Sequence, residues 1–292
     1  MPGGYAGNVL EVDLTARKIT KKPLDMKEAQ MFIGGRGLGS KWLYDRTKPG
    51  GSPLAADNPM FFMAGPLNGL PSPSTARLSI VTKSASTSPK SNPKTGGLLH
   101  TNCGGRFTPE LKFAGYDAII VTGAASSPVC LVIEDDKVEL RPATKYWGMG
   151  NYKLQMTLDE DFGRRWRSVY IGPAGEHLVR YANVMTEIHR ACGRGGSGAV
   201  MGSKKLKAIA TARGGNQIVI LRGEVLHKFD KEITRFGEVW PVRVKGHIKT
   251  KWIESATPQP APAGWLLWLE VEKATIDLPS PEERKRDAKE WQ

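Results

Sequence analysis

Cysteine is scarce in this 292-residue chain, with only Cys103, Cys130 and Cys192. They are scattered and form no CxxC pair, so no disulfide framework, zinc motif or iron–sulfur motif can be read from them. Long apolar runs are missing too. No stretch reaches about 18 uninterrupted apolar residues, which argues against a membrane-spanning helix. The opening residues, MPGGYAGNVLEVDL, lack a charged segment followed by an apolar one. No secretory signal is expected, and a cytoplasmic location is the default. The GxSxG, GxxxxGK[ST] and strand-linked GxGxxG signatures are absent as well. Acidic residues are in deficit, with 29 Asp and Glu against 42 Lys and Arg, a formal charge of +13. Nearly all of the excess precedes Arg213. It comes without a dense basic block and without interleaved aromatics, which argues against a nucleic-acid surface. A smaller polyanion remains the natural partner.

What the chain does contain is glycine beside arginine. Thr186–Leu206, TEIHRACGRGGSGAVMGSKKL, packs Arg190, Arg194, Lys204 and Lys205 around glycines and small residues. Glycine lets a backbone approach a ligand closely, and arginine adds a rigid fork of donors suited to phosphate. On one face of a helix, or at its start, Arg190 and Arg194 would grip one phosphate or two neighbouring ones. A second such segment is Leu98–Arg106, LLHTNCGGR. There the Asn102–Gly105 carbonyls would suit a hard cation such as magnesium. Arg77 follows a Pro/Ser-rich turn in PSPSTARLSIVTK (71–83). Gly34-Gly35-Arg36-Gly37 has a phosphate-loop composition but follows a helix, so Arg36 is expected to face solvent or pair with an acid, with reach to a phosphate as the alternative. His100 and His189 neighbour the glycine segments and are expected to be structural. Cys130, in PVCLVI, reads as a buried small hydrophobe; Cys103 and Cys192 sit inside glycine segments, where packing explains them less well.

Periodicity predicts strands over 7–14, 18–23, 60–64, 77–83, 117–122, 128–134, 137–142, 168–171, 179–185 and 206–210. Helices are predicted over 26–33 (capped by Asp25), 36–44, 109–114, 151–161 and 196–203. Residues 84–94 read as an exposed loop. Apolar strands ending in Gly65-Pro66 and in Gly172-Pro173 suggest a duplicated α+β unit. After about Arg213 periodicity fades into a stretch with Trp240, Trp252, Trp265 and Trp268, a TPQPAPAGW run and a charged end, the pattern of a linker and tail.

These segments resemble the N-terminal domain of the tungsten-containing aldehyde ferredoxin oxidoreductases. The matching pieces are GNVLEVDL (7–14), IGGRGLGSKWL (33–43), MAGPLNG (63–69), ARLSIVTKS (76–84), NCGGRFTPELKFAGYDAIIVTG (102–123), YIGPAGEHLVRYANVM (170–185) and HRACGRGGSGAVMGSKKLKAIA (189–210). The resemblance implies an α+β fold of two similar repeats over residues 4–213, forming a tungstopterin-binding domain, with an irregular tail over 214–292. It implies a bis-pterin dithiolene cofactor with tungsten or molybdenum. Residue by residue, Arg77, Asn102, Gly104, Arg190, Ala191, Gly193 and Arg194 match the cofactor contacts. The Asn102 and Ala191 carbonyls match the protein ligands of a phosphate-bridging magnesium. No protein group binds the tungsten, and Cys103 and Cys192 stand where the family often has serine and alanine.

The implied activity of the whole enzyme is oxidation of an aldehyde to a carboxylic acid, with ferredoxin as electron acceptor. In the full-length family a four-iron four-sulfur cluster and the acid/base groups sit in further domains, and their residues are not found in this chain. The simplest expectation is a truncated or frame-shifted product beyond about residue 213; the alternative is a subunit completed by a partner chain. Two other classes stay open: a non-catalytic remnant and a basic polyanion-binding module.

Overall fold

A computed structural model describes residues 4–69, 75–88, 91–92, 95–163 and 165–212, together with four short strands nearer the C-terminus. The chain divides into two compact units, Met1–Val219 and Ile220–Gln292.

In the first unit, β1 (Asn8–Asp13) and β2 (Lys18–Pro23) pair antiparallel. Their turn is set by Asp13, whose Oδ1 accepts from the Thr15 and Ala16 amides, and by Arg17 at φ 51°. Asp25 caps α1 (Met26–Phe32) by accepting from the Lys27 and Glu28 amides, which satisfies donors a helix start leaves open. Then follow α2 (Gly35–Arg46), β3 (Met60–Met63), β4 (Leu78–Lys83), β5 (Leu98–Cys103), α3 (Phe107–Phe113) and β6 (Ala118–Thr122). The second half repeats the plan with β7 (Val129–Glu134), β8 (Lys137–Pro142), α4 (Asn151–Phe162), β9 (Arg167–Tyr170), α5 (Pro173–Glu176), β10 (Val184–Thr186), β11 (Arg190–Cys192), α6 (Ser197–Ser203) and β12 (Leu206–Ala212).

One sheet runs β2-β1-β6-β3-β4-β5 and the other β8-β7-β12-β9-β10-β11. The order is the same in both halves, and so is each pairing sense: β1 with β6 and β7 with β12 are parallel, and the remaining ladders are antiparallel. The duplication suggested by the two Gly-Pro strand ends is therefore complete. The strands β6, β7 and β12 are buried over nearly their whole length because both faces are covered. One core joins Leu10, Phe62 and Ile119 of the first sheet to Leu131, Val169 and Ile209 of the second. Outer faces are covered by α1 and α2 on the first sheet and by α4 on the second.

Most sequence expectations correspond to these elements, with four differences. β5 was not predicted, because LLHTNC mixes polar residues with its apolar ones at an edge. The strand expected over 179–185 is confined to Val184–Thr186, since Val179 and Ala182 close turns after α5. Ser84 and Ala85, expected in an exposed loop, are buried, with the Ala85 amide donating to the Gly195 carbonyl at 3.1 Å. Finally, Arg190 lies on a strand rather than at a helix start. In the second unit, four short strands form two antiparallel ladders: β13 (Arg243–Val244) with β16 (Ile276–Asp277), and β14 (Ile248–Trp252) with β15 (Leu267–Val271). The TPQPAPAG run and the charged end lie outside the described residues.

Lys204 is fully buried, donating to the Ala56 and Gly123 carbonyls at 3.0 and 3.2 Å. Burial pushes its amine down to about 8 from 10.5. Between those values the unfolded chain holds more protons than the folded one, so stability rises with pH across that window. Lys112 and Lys207, also lowered by burial, act in the same sense. Cys130, pushed up to about 12 from 9.0 by burial, acts in the opposite sense above pH 9. The urea midpoint is therefore expected to climb between about pH 8 and 9 and then level off. The climb should shrink in Lys204→Met; a midpoint that falls over that interval would contradict the assignment.

Candidate functional site

Each sheet ends in an edge strand, β5 in one and β11 in the other, and the two edges lie alongside one another. They carry the same motif: His100-Thr101-Asn102-Cys103-Gly104 and His189-Arg190-Ala191-Cys192-Gly193. Asn102 and Ala191 thus occupy equivalent positions in the two repeats. The Cys103 and Cys192 sulfurs meet at 3.0 Å, with Cys192 donating. That hydrogen bond holds the Cys103 thiol below its ordinary value and pushes Cys192 upward, a rise to which burial adds. The Arg194 amide donates to Thr101 Oγ1 at 3.4 Å, and Ser84 Oγ donates to the Gly195 carbonyl at 2.9 Å.

Around this seam stands a cationic surface. Arg77, just before β4, donates from Nη1 to Asn102 Oδ1 at 2.8 Å, and Asn102 pairs with Ser79 of β4 in the ladder. Arg190 leans from β11 across to the turn after β5: a Cβ placed on Gly104 would stand 2.9 Å from Arg190 Nη1. Its nearest acid is Glu187, at 3.5 Å, and Glu187 also accepts from the Arg106 amide at 2.7 Å. Arg77, Asn102, Arg190, Gly193 and Arg194 are all exposed, while Gly104 and Ala191 are half-buried. The seven residues singled out in the sequence come from separated segments, and the strand order brings them together.

Arg36 was expected to face solvent or pair with an acid. It is exposed, and among the described residues no carboxylate lies within ion-pair distance of it. It belongs to the same surface. A Cβ on the preceding Gly35 would sit 3.5 Å from Ser79 Oγ, and Arg36 helps burial to lower the pKa of His100. His100 is half-buried, and its Nε2 has no hydrogen-bond partner among the described residues. The signal available in the sequence was the GGRG composition. It was discounted because no strand precedes it, yet the start of α2 reaches the site by packing on β4. His189, by contrast, is exposed. Cys130 is buried on the outer face of the second sheet, against Tyr146 and Leu154.

The arrangement offers guanidinium donors and glycine backbone with little acidic neutralisation, chemistry that suits phosphate. Among the described residues no three His, Cys, Asp or Glu side chains are grouped to hold a metal ion. No helix among them is long and apolar enough to cross a membrane.

Comparison with known proteins identifies the family of the fold. The profile of the aldehyde ferredoxin oxidoreductase N-terminal domain matches residues 9–213. The tungsten-containing aldehyde ferredoxin oxidoreductase of Pyrococcus abyssi is 44% identical over 207 residues, which are 70% of this chain and 33% of that protein. An aliphatic sulfonate oxidoreductase WOR-like subunit of Pyrococcus furiosus is 42% identical over 222 residues, 70% of this chain and 34% of its own length. Among solved structures, the active site complex BamBC of benzoyl coenzyme A reductase, in complex with 1,5-dienoyl-CoA, superposes with a TM-score of 0.68 at 36% identity. That match covers 73% of this chain and 31% of the other. The chain thus spans about a third of the length of the curated relatives it matches. With the profile, the relatives and the duplicated fold in agreement, the chain belongs to the aldehyde ferredoxin oxidoreductase family through the N-terminal domain it carries over residues 9–213.

Proposed function

We propose that the β5–β11 seam is the base on which this oxidoreductase-family domain binds a bis-pterin tungsten or molybdenum cofactor. Arg77, Asn102, Gly104, Arg190, Ala191, Gly193 and Arg194 make the contacts, with Arg36 as an added donor. The Asn102 and Ala191 carbonyls would hold a magnesium that accompanies the cofactor. The observation that carries the reading is the meeting of equivalent edge strands under exposed arginines, of which only Arg190 has a described acid within ion-pair distance, Glu187 at 3.5 Å. A ligand of two similar phosphate-bearing halves matches a base built of two similar repeats, so the donor set fits the group.

When bound, the metal–dithiolene centre supplies the redox chemistry, and the protein supplies position and electrostatics. Arg190 and Arg194 neutralise phosphate charge. Arg77 holds the Asn102 side chain through its Oδ1. Gly104 and Gly193 let the pterin edge come close to the backbone. For the whole protein we propose oxidation of aldehydes to carboxylic acids with ferredoxin as acceptor. The four-iron four-sulfur cluster and the substrate channel would then come from residues beyond this domain or from a partner chain.

Expression of the 292-residue chain in a tungstate-replete anaerobic host tests the reading by elemental and pterin analysis of the purified protein. Tungsten or molybdenum is expected to co-purify with pterin. Arg194→Ala, which removes a charge-assisted hydrogen bond at an exposed position, should cut retention about tenfold or more. Purified chain free of both, or full retention by Arg194→Ala, would sink it. Retention of DNA with a steep salt slope in place of pterin would favour a general polyanion module instead.

A further inference from the structure

We propose that Cys103 and Cys192 form a reversible disulfide that ties the two repeats together at the β5–β11 seam. The inference does not depend on the cofactor reading. It starts from position: each cysteine closes the same His-x-x-Cys-Gly motif in its own repeat, and each ends an edge strand of its own sheet. Their sulfurs stand 3.0 Å apart although the residues are 89 positions apart in the chain. Forming the bond therefore needs the two sulfurs to close by about 1 Å.

Competition is absent within the chain. The third thiol, Cys130, is buried on the outer face of the second sheet, in a core cluster that contains neither of the other two. Access runs through Cys103, which is 4% exposed while Cys192 is fully buried, so reaction with an external oxidant is slow.

With a small disulfide as oxidant, the step balances as thiol–disulfide exchange. The Cys103 sulfur attacks one sulfur of the oxidant, and the released thiolate takes up the Cys103 proton. Cys192 then attacks the Cys103 sulfur of the mixed disulfide. Its proton goes to the second leaving thiolate. Two protein thiols become one disulfide and the oxidant becomes two thiols. Oxidation would lock the two edges that carry Asn102 and Arg190 without changing the protein's charge.

The test uses the full 292-residue chain, reduced, desalted and incubated natively for hours with excess oxidised glutathione. Denaturation in an alkylating agent follows. Intact mass before alkylation should fall by about 2 Da, the loss of two hydrogens. Alkylation should then count one thiol rather than the three of the reduced protein. Proteolysis should join the peptides bearing Cys103 and Cys192, and dithiothreitol should restore all three thiols. A crosslink across so long a loop should also raise Tm by several degrees. Cys130→Ala should oxidise in the same way and leave no free thiol. Three free thiols after incubation, a stable glutathione adduct without closure, or a crosslink that includes Cys130 would each overturn the proposal.

Discussion

Lys207→Met is expected to destabilise the folded unit by about 3–5 kcal/mol, because it strands a buried carboxylate. Lys207 is fully buried on β12 and is paired with Glu176 of α5, whose side chain is 1% exposed. The amine also donates to the Ile171 carbonyl at 2.7 Å, and Glu176 Oε2 accepts from the Gly148 amide at 2.8 Å. One ion pair thus joins the last strand of the second sheet to the short helix after β9 and to the loop before α4. Methionine fills much of the same space but offers no proton. The stranded Glu176 must then lose its charge or drag water inward. Urea unfolding at pH 7 measures the loss. The double change Lys207→Met with Glu176→Leu should recover much of the stability, since the cost lies in the unpaired charge rather than in the missing attraction. A single variant within about 1 kcal/mol of the parent would show that water or another cation already serves Glu176.

Gly202→Ala is the second large effect, expected at about 3 kcal/mol or more. Gly202 ends the small-residue helix α6, SGAVMGS, where a Cβ would stand 1.9 Å from the Gly175 carbonyl oxygen. That neighbour is backbone of α5, so no side chain can rotate away. One turn earlier, a Cβ on Gly198 would stand 2.6 Å from the Asn183 carbonyl oxygen. The two glycines let α6 lie against the chain leading into β10, and that contact fixes where β11 and Arg194 emerge. Gly150→Ala provides the internal comparison. Nothing lies within 4 Å of its Cβ position and its φ is −65°, so the change should stay within about 1 kcal/mol. Equal losses at Gly202 and Gly150 in a denaturation series would contradict the packing account.

These two glycines also mark where local sequence reading reached its limit. GRGGSGAVMGS reads as ligand-facing glycines running into a helix over 196–203, since glycine beside arginine carries that meaning locally. The structure divides the run. Gly193 is exposed at the seam, Gly196 sits at φ 79° where a Cβ would collide with the Arg180 carbonyl, and Gly198 and Gly202 serve helix packing. Composition is blind to that division because a close backbone approach requires glycine whether the approaching group is a ligand or another strand.

Strands buried on both faces, such as AIIVT and VCLVIE, announce themselves by unbroken apolar runs, and Asp25 announces a helix start by its capping chemistry. The β5 edge announces nothing, because an edge strand may expose polar side chains and leave half its backbone groups to other partners. Arg36 was likewise discounted on its local context, a helix before it in place of a strand.

The amino-acid sequence by itself therefore determined the family, most of the elements and the hint of duplication, and it singled out the seven candidate site positions, since all of these are written in short-range pattern. The tertiary structure alone decided that the two edge strands meet, that Cys103 touches Cys192, that Arg36 joins the cationic surface and that Lys207 needs Glu176. Those facts depend on which strand ends each sheet and on how the sheets face each other. Such pairings arise between residues tens of positions apart, where burial of a shared core rather than local preference sets the outcome.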